Sequence, residues 1–157
     1  PNTSEKTIEK AKEIFNNSGS SIVNVKKEID GFILNRLQGA LLNEAMRLYS
    51  QGYANSDEID ATIRDGLGLR WAFMGPFETI DLNAPGGIRD YMSRYGSIYT
   101  EMAKNQTEVP DWSDKMGEKL EIERRKILPE NQLEGRAKKR NLLLKSLRKV
   151  KIENGEV

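Results

Sequence analysis

The sequence predicts an all-α protein, a helical bundle that follows one isolated helix and one short strand. Apolar residues recur at steps of three and four along most of the 157 residues, which is the spacing of amphipathic helices. Glycines, prolines and short polar stretches separate these periodic segments. The stretch SIVNVKK, residues 21–27, is the exception and has the composition of a strand. Together these observations favour helices packed on helices.

Composition limits the chemistry that this chain can perform. Charged residues make up 31%, and no apolar run approaches the ~20 residues that cross a bilayer. No basic and then apolar leader is present either, so we expect a soluble, cytoplasmic protein with no membrane partner. The sequence has no Cys and no His, so we expect no disulfide and no metal site. Proton transfer would need Lys, Asp, Glu or Tyr, or a base from another chain.

The beginning of the chain does not form a complete unit. Residues 1–17 predict a helix that begins at Thr3 or Ser4 and closes near Gly19. The strand that follows would expose unpaired backbone on both edges, so it needs strands from another chain or from a missing upstream segment. The sequence also begins with Pro1 and not with Met. Both facts predict that the chain is the C-terminal portion of a longer protein.

The chain is organised around a predicted helix over residues 30–49. Asp30 is a suitable N-cap. Asn35 lies in the first turn, above a face that is otherwise apolar, and a rigid helix is a good base from which to aim one polar group. An Asn early in a helix is more often a solvated or capping residue, so the helix by itself favours a structural role. The apolar stripe consists of Leu34, Leu37, Leu41, Ala45 and Leu48.

The stretch DGLGLRWAFMGPFE, residues 65–78, predicts an unusual loop. A short helix capped by Ser56 precedes it and ends at its first two glycines. The loop carries a guanidinium and an indole, Arg70 and Trp71, and loops often carry function. A packing loop with its aromatics in the core and Arg70 in water is an equal alternative. The glycines are a weak phosphate cradle, because they follow a helix and lack the third glycine of a dinucleotide fingerprint.

The rest of the sequence predicts further helices and a basic surface. Between Arg136 and Lys151 there are eight Lys or Arg and no acidic residue. Such a run could bind nucleic acid or an anionic ligand. We favour a solvated face and expect no nucleic-acid partner, because no aromatic residue is interleaved for base stacking. Helices are expected over 77–83, from Ile88 to Met102, from Ser113 to Pro129 and over 134–152, with a polar connector at 105–110.

Two motifs carry a family resemblance. The sequences GFILNR at 31–36 and MGPFE at 74–78 resemble the signatures of the C-terminal domain of NAD-dependent L-3-hydroxyacyl-CoA dehydrogenases, at the family's spacing, and the resemblance covers nearly the whole chain. The segment GLGLRWAF at 66–73 looks closer to the lambda-crystallin and L-gulonate 3-dehydrogenase branch, and its LRWA element is similar to carnitine 3-dehydrogenase. Fatty-acyl members run from these glycines directly into Tyr-Pro-Met-Gly-Pro. The substrate therefore stays open between an acyl-CoA and a free hydroxy acid.

The resemblance implies a division of the chain. Residues 1–29 would be the last helix and strand of a Rossmann NAD-binding domain that is otherwise absent. Residues 30–157 would form a helical domain, like the C-terminal domain of 6-phosphogluconate dehydrogenase, that forms a homodimer and closes over the substrate. The catalytic His, its Glu partner and the NAD-binding glycines would belong to the absent part. We therefore expect NAD as cofactor but no activity from this chain alone.

The resemblance also implies a role for Asn35. It matches the family's active-site Asn, which holds the substrate and the catalytic His, and this reverses the structural interpretation. The implied reaction is oxidation of the 3-hydroxy group of a hydroxyacyl-CoA or of a free acid such as L-gulonate. Our own inference is that Arg70, beside Trp71, binds a free carboxylate, although it could instead pair with a carboxylate at a dimer interface. A carnitine 3-dehydrogenase-like enzyme is the alternative within the family. Two rival functions of other classes remain at this point, a non-catalytic helical dimerisation module and an anion or nucleic-acid binder that uses residues 136–151.

Overall fold

A computed structural model describes residues 3–18 and 20–156, and every regular element in that part of the chain is helical. The prediction of an all-α protein is therefore confirmed. None of the described helices combines the length and the apolar character that a bilayer crossing requires. The helices are α1 (Glu5–Asn17), α2 (Phe32–Ser50), α3 (Ser56–Ala61), α4 (Gly68–Trp71), α5 (Pro76–Leu82), α6 (Gly87–Asn105), α7 (Asp114–Ile127) and α8 (Leu133–Glu153), with a π-helical turn (Thr62–Leu67) and a 3-10 turn (Glu130–Gln132).

The strand predicted at residues 21–27 is wrong for the described chain, where this segment has no regular structure. The reason is that a strand exists only within a ladder of hydrogen bonds, and no second strand is available in the described residues. Helix α1 begins as expected, with the Ser4 hydroxyl accepting from the Thr7 N–H at 3.2 Å. Its predicted end near Gly19 lies outside the described residues. The assignment of residues 1–29 to a cofactor domain stays a prediction.

Two predicted caps are displaced by one residue. Asp30 does not cap α2, because Gly31 takes the cap position with φ +79°, a left-handed conformation that favours glycine. Asn55 and not Ser56 caps α3, where its side chain accepts from two N–H groups of the first turn. The Glu58 carboxylate accepts in return from the Asn55 N–H at 2.8 Å. Local cap chemistry therefore located both helix starts to within one residue.

The predicted loop at residues 65–78 is wrong over its first half, which is helical as far as Trp71. The glycines do not end α3. Instead, the Gly68 N–H donates to the Ile63 carbonyl and closes a wide π turn that carries the chain into α4. A Cβ atom on Gly68 would lie 2.8 Å from that carbonyl oxygen, so this turn requires a glycine. The connection that remains is short, and Pro76 starts α5 as predicted.

The core is small and lies between the second half of α2, α3 and α7. Met46 and Tyr49 of α2 are buried there. A second contact joins α5 to α6, where Thr79 and Ala84 are buried. The chain exposes 13145 Å² in total, whereas a folded monomer of 17.8 kDa typically exposes about 8000 Å². Much apolar surface is therefore left uncovered by the chain itself.

Helix α8 carries the predicted basic surface. Its charges are partly balanced along the helix, with Lys138 2.6 Å from Glu134 and Lys149 3.7 Å from Glu153. Four residues separate the partners in both pairs, which is one helical turn. These exposed pairs fit the interpretation of the basic run as a solvated face.

Candidate active site

The start of α2 has a strained backbone. Gly31 has φ +79° and Phe32 has φ +49°, so the N-cap residue and the first residue of the helix both have a positive φ. A bulky residue in this region is costly, and such strain concentrates at functional sites. The turn is closed by the Phe32 N–H, which donates to the Ile29 carbonyl at 3.1 Å. This turn sets the direction of the first turn of α2 relative to residues 20–30.

Asn35 lies in this first turn and is exposed. Its amide makes no hydrogen bond to any described residue, and no side chain caps α2. The neighbouring apolar side chains are exposed too, with Ile33, Leu34 and Leu37 all facing solvent in this chain. The amide therefore does not cap the helix, and within this chain it is solvated, which is one of the two structural roles that the helical pattern offered. It is available to a group outside the described residues.

Arg70 and Trp71 are the last two residues of α4. The Arg70 guanidinium is exposed and has no ion pair with the described residues, while its carbonyl accepts from the Phe73 and Met74 N–H groups. Trp71 is 40% exposed, so it does not fill the core. By contrast, Arg64 in the preceding π turn is held by the Asp65 carboxylate through contacts of 2.9 and 2.7 Å. Within the described segment Arg64–Trp71, Arg70 is the cation left for an external anion.

The structure does not join these residues into one site. No hydrogen bond, ion pair or ring contact between described residues connects Asn35 with Arg70 or Trp71. The two groups lie on separate helices, α2 and α4, which are linked through α3 and the π turn. Any shared site would therefore have to be completed by atoms outside the described chain.

A polar junction that sequence analysis missed ties α2, α3 and α7 together. The Tyr49 hydroxyl donates to Glu123 at 3.0 Å, and the Ser56 N–H donates to the same carboxylate at 3.2 Å. The Lys119 ammonium lies 4.7 Å from the centre of the Tyr49 ring. These partners are 67 and 74 residues apart in sequence, so no local pattern could have revealed them. The junction anchors the far end of α2.

The charges at this junction shift two ionisation equilibria. The pKa of Glu123 lies below its ordinary value of 4.5, chiefly because the Ser56 N–H stabilises the carboxylate, and the Tyr49 hydroxyl adds to this. Burial raises the pKa of the Tyr49 hydroxyl, and the neighbouring Glu123 raises it further. Tyr49 is therefore a poor acid at neutral pH. The junction acts as a structural tie and not as a proton-transfer pair.

A cavity of about 600 Å³ lies beside this junction, between α2, α3 and the end of α7. Arg124 stands at its edge, with Nη1 3.2 Å from Asp60 and 3.8 Å from Asp57. Its walls are mostly apolar, with further arginines at the rim. None of the three predicted site residues lines it. The apolar lining is Leu41, Leu42, Ala45, Ile59, Ile63, Ile127 and Leu128.

The glycine segment at residues 66–68 does not fit the phosphates of a dinucleotide. A phosphate cradle needs free backbone N–H groups after a strand, whereas the Gly68 N–H is already bonded to Ile63 and the segment is helical. No group of three or more Asp and Glu side chains within residues 3–18 and 20–156 is placed to hold a metal ion. The chain can offer an amide and a guanidinium to a substrate.

Comparison with known proteins gives this arrangement a context. A family described as "3-hydroxyacyl-CoA dehydrogenase, C-terminal domain" matches residues 31–128. The chain belongs to this family. The match of the 3-hydroxyacyl-CoA dehydrogenase C-terminal domain begins at Gly31, the glycine that turns the backbone into α2, and it includes Asn35 and Arg70.

Relatives of this dehydrogenase domain cover most of the chain. Lambda-crystallin of Oryctolagus cuniculus is 39% identical over 153 residues, which is 96% of this chain and 48% of that protein. The lambda-crystallin homolog of Bos taurus is 41% identical over 120 residues, or 76% of this chain and 37% of that protein. L-carnitine dehydrogenase of Pseudomonas putida is 41% identical over 115 residues, which is 73% of this chain and 36% of that protein. The chain thus spans about half or less of the length of these relatives.

Proposed function

We propose that the chain is the substrate-binding and dimerisation part of an NAD-dependent dehydrogenase that oxidises the 3-hydroxy group of a small hydroxy acid or hydroxyacyl-CoA. The observation that carries this proposal is the family match over residues 31–128, a range that includes Asn35. Residues 30–157 would form this part. Residues 1–29 would be the end of the NAD-binding domain, which would hold the cofactor, the His base and its Glu partner.

Asn35 would act as a catalytic residue that binds the reacting oxygen. Its side-chain NH₂ can donate to the substrate oxygen while its carbonyl oxygen accepts from an imidazole N–H. A neutral amide performs both tasks without adding a charge that would shift the pKa of the base. The exposure of Asn35, and its lack of any partner among the described residues, support this role.

Arg70 would bind the carboxylate of a free hydroxy acid, with Trp71 beside it. Its support is the contrast with Arg64, whose guanidinium is already occupied by Asp65. A guanidinium can bind a carboxylate through two parallel hydrogen bonds. The similarity to an L-carnitine dehydrogenase favours a free acid over a thioester.

A substitution of Arg70 separates this role from its alternative at a dimer interface. In a complete enzyme, Arg70→Ala should raise KM for a free hydroxy acid roughly tenfold to a hundredfold, because a charged hydrogen bond contributes about 1.5–3 kcal/mol. The KM for the corresponding methyl ester should change little. Arg64→Ala is the matched control and should leave both KM values near wild type. Equal losses for acid and ester would reject the carboxylate role.

We also propose that the chain forms a homodimer. The support is its exposed area, which exceeds that of a typical monomer of this mass by about 5000 Å². A stable interface needs about 800 Å² from each partner, so this surface is ample for a second copy and a cofactor domain together. Sedimentation at micromolar concentration measures this directly, and a monomer would contradict it.

The main experiment compares the chain alone with the chain joined to a family cofactor domain. NADH formation is followed with 3-hydroxybutyryl-CoA, L-gulonate and L-carnitine as probes. The chain alone should be inactive, and the joined protein should oxidise at least one probe. Turnover by the chain alone would contradict the proposed division of labour. Inactivity of the joined protein on all three would favour the rival function, a non-catalytic dimerisation module.

A further inference from the structure

Helix α6 presents an apolar seam that is only partly covered. Its large side chains recur at alternating steps of three and four, the spacing of the two core positions of a coiled coil. Helix α5 packs against one side of this seam, where Phe77 and Ile80 approach Tyr91 and Tyr99 across an apolar cavity of about 390 Å³. The seam consists of Ile88, Tyr91, Tyr95, Ile98 and Met102.

The other side of the seam is open. Tyr95, Ile98 and Met102 each leave between 40% and 50% of their surface in contact with solvent. Ile98 and Met102 line a shallow depression that is formed by α6 residues alone. An uncovered apolar stripe of this kind on a helix of 19 residues is typical of an interface.

Two tyrosines of this seam, Tyr91 and Tyr95, contact each other, and Tyr91 also contacts Tyr99 beside the seam. The Tyr91 and Tyr99 hydroxyl oxygens are 2.6 Å apart, and the Tyr91 and Tyr95 rings lie 4.8 Å apart between centroids. Side chains that are ordered before binding lose little conformational entropy when a partner covers them. Tyrosine is also enriched at the centres of protein interfaces.

We propose that the open face of α6 packs against α6 of a second copy in antiparallel orientation. This inference rests on the homodimer proposed above and specifies its surface and register. In this register Tyr95 packs against Ile98 of the second copy, and the two-fold axis repeats the contact with the roles exchanged. Tyr91 and Met102 form the outer layers in the same way.

The flanking charges select the antiparallel orientation. Arg94 and Glu101 are seven residues apart and occupy equivalent positions on one edge of the seam. In an antiparallel pair this edge faces the same edge of the partner, so Arg94 meets Glu101 of the second copy twice. In a parallel pair Arg94 would face Tyr99 of the second copy, and no ion pair would form. The charges are thus complementary in one orientation only.

Both charged side chains are free to exchange partners. Arg94 now contacts Asp90 at 2.7 Å, and Glu101 contacts Lys104 at 2.7 Å, both within α6. Arg94 and Glu101 are more than half exposed in these pairs, and exposed pairs of this kind contribute little stability. Forming the intermolecular pairs therefore displaces only weak contacts.

A charge-exchange experiment tests the register. The dimer dissociation constant is measured by sedimentation for Arg94→Glu, for Glu101→Arg and for an equimolar mixture of the two variants. Each variant alone places two like-charged pairs at the interface, so its dimer should weaken about tenfold. In the mixed dimer every pair is again of opposite charge, so the mixture should recover wild-type affinity. A mixture no tighter than the single variants would overturn the register.

A second variant tests the seam itself. Ile98→Asp places a charge in the apolar layer and should weaken the dimer at least a hundredfold while circular dichroism stays unchanged, since Ile98 is half exposed in the single chain. Ser93→Asp adds the same charge on the opposite side of α6 and is the matched control. If the Ile98→Asp variant still dimerises, the proposed α6 interface is wrong, but the proposal of a homodimer stands. A monomeric wild-type chain would overturn the homodimer and, with it, the seam.

Discussion

The two ends of helix α2 have opposite environments. At the C-terminal end, Met46 and Tyr49 are buried, and Tyr49 is tied through Glu123 to α3 and α7. At the N-terminal end, Leu34 is 75% exposed and Asn35 makes no hydrogen bond within the described chain. One helix therefore has an anchored end and an open end.

The difference shows how an amphipathic helix can serve two purposes. Leu34 and Leu37 continue the same stripe as Leu41, Ala45 and Leu48, and a stripe of this kind forms to be buried. The chain leaves Leu34 and Leu37 bare, covers Leu41 and Ala45 in part, and leaves Leu48 36% exposed, so the anchored end is buried through Met46 and Tyr49 on the neighbouring face. We infer that the open end is completed by another domain, and that the anchor holds Asn35 at a defined distance from the core.

The largest expected effect comes from truncating one apolar side chain at each end. Met46→Ala should lower the free energy of unfolding by about 2–5 kcal/mol, because it leaves a cavity in the small core. Leu34→Ala should change it by no more than about 0.5 kcal/mol, because that side chain is already in water. Urea unfolding of both variants measures the contrast. Similar losses of unfolding free energy at the two positions would mean that the two ends of α2 do not differ in burial.

A pair of glycines tests how far the anchored region extends along the chain. Gly68→Ala should cost about 1–3 kcal/mol of stability, because its Cβ would meet the Ile63 carbonyl oxygen in the π turn. Gly66 has open space around its Cβ position, so Gly66→Ala should stabilise the helix by about 0.5–1 kcal/mol. Thermal unfolding shows whether each variant is more or less stable than the wild type. Equal changes in stability for the two variants would mean that the π turn does not require a glycine at position 68.

The smallest expected effect is a pH dependence that belongs to the anchored end. Because the pKa of Glu123 is lowered in the folded chain, its stabilising effect is complete above its ordinary value of 4.5 and is lost as the pH falls through the lowered folded value. Unfolding in urea should therefore occur more readily below pH 4.5. Glu123→Gln should be less stable at neutral pH and should lose less on acidification. If the free energy of unfolding of this variant depends on pH as steeply as that of the wild type, Glu123 is not the cause of the pH dependence.

The sequence predicted the helices well because apolar periodicity is a local property. Ser4 and Ser113 cap α1 and α7 as their positions indicated. The strand at 21–27 failed because a strand depends on partners that are distant in sequence. The loop at 65–78 failed because glycine is compatible both with a helix end and with a π turn, and the Gly68–Ile63 hydrogen bond decides between them.

The candidate site could be predicted only in part. Asn35 was identified from the resemblance of its surrounding motif and not from its chemistry, since a solvated Asn gives no local signal. The junction of Tyr49, Ser56 and Glu123 could not be predicted, because its members come together only through the packing of three helices. Long-range polar contacts of this kind require the structure.

We propose that Asn35, at the open end of α2, completes a reaction centre together with a cofactor domain. In the joined enzyme, Asn35→Ala should lower kcat about a hundredfold, which corresponds to about 3 kcal/mol, while the free energy of unfolding stays unchanged. Gln51→Ala removes an exposed amide about 24 Å away at the other end of the same helix and should retain full activity. Wild-type kcat in Asn35→Ala would show that Asn35 takes no part in the reaction.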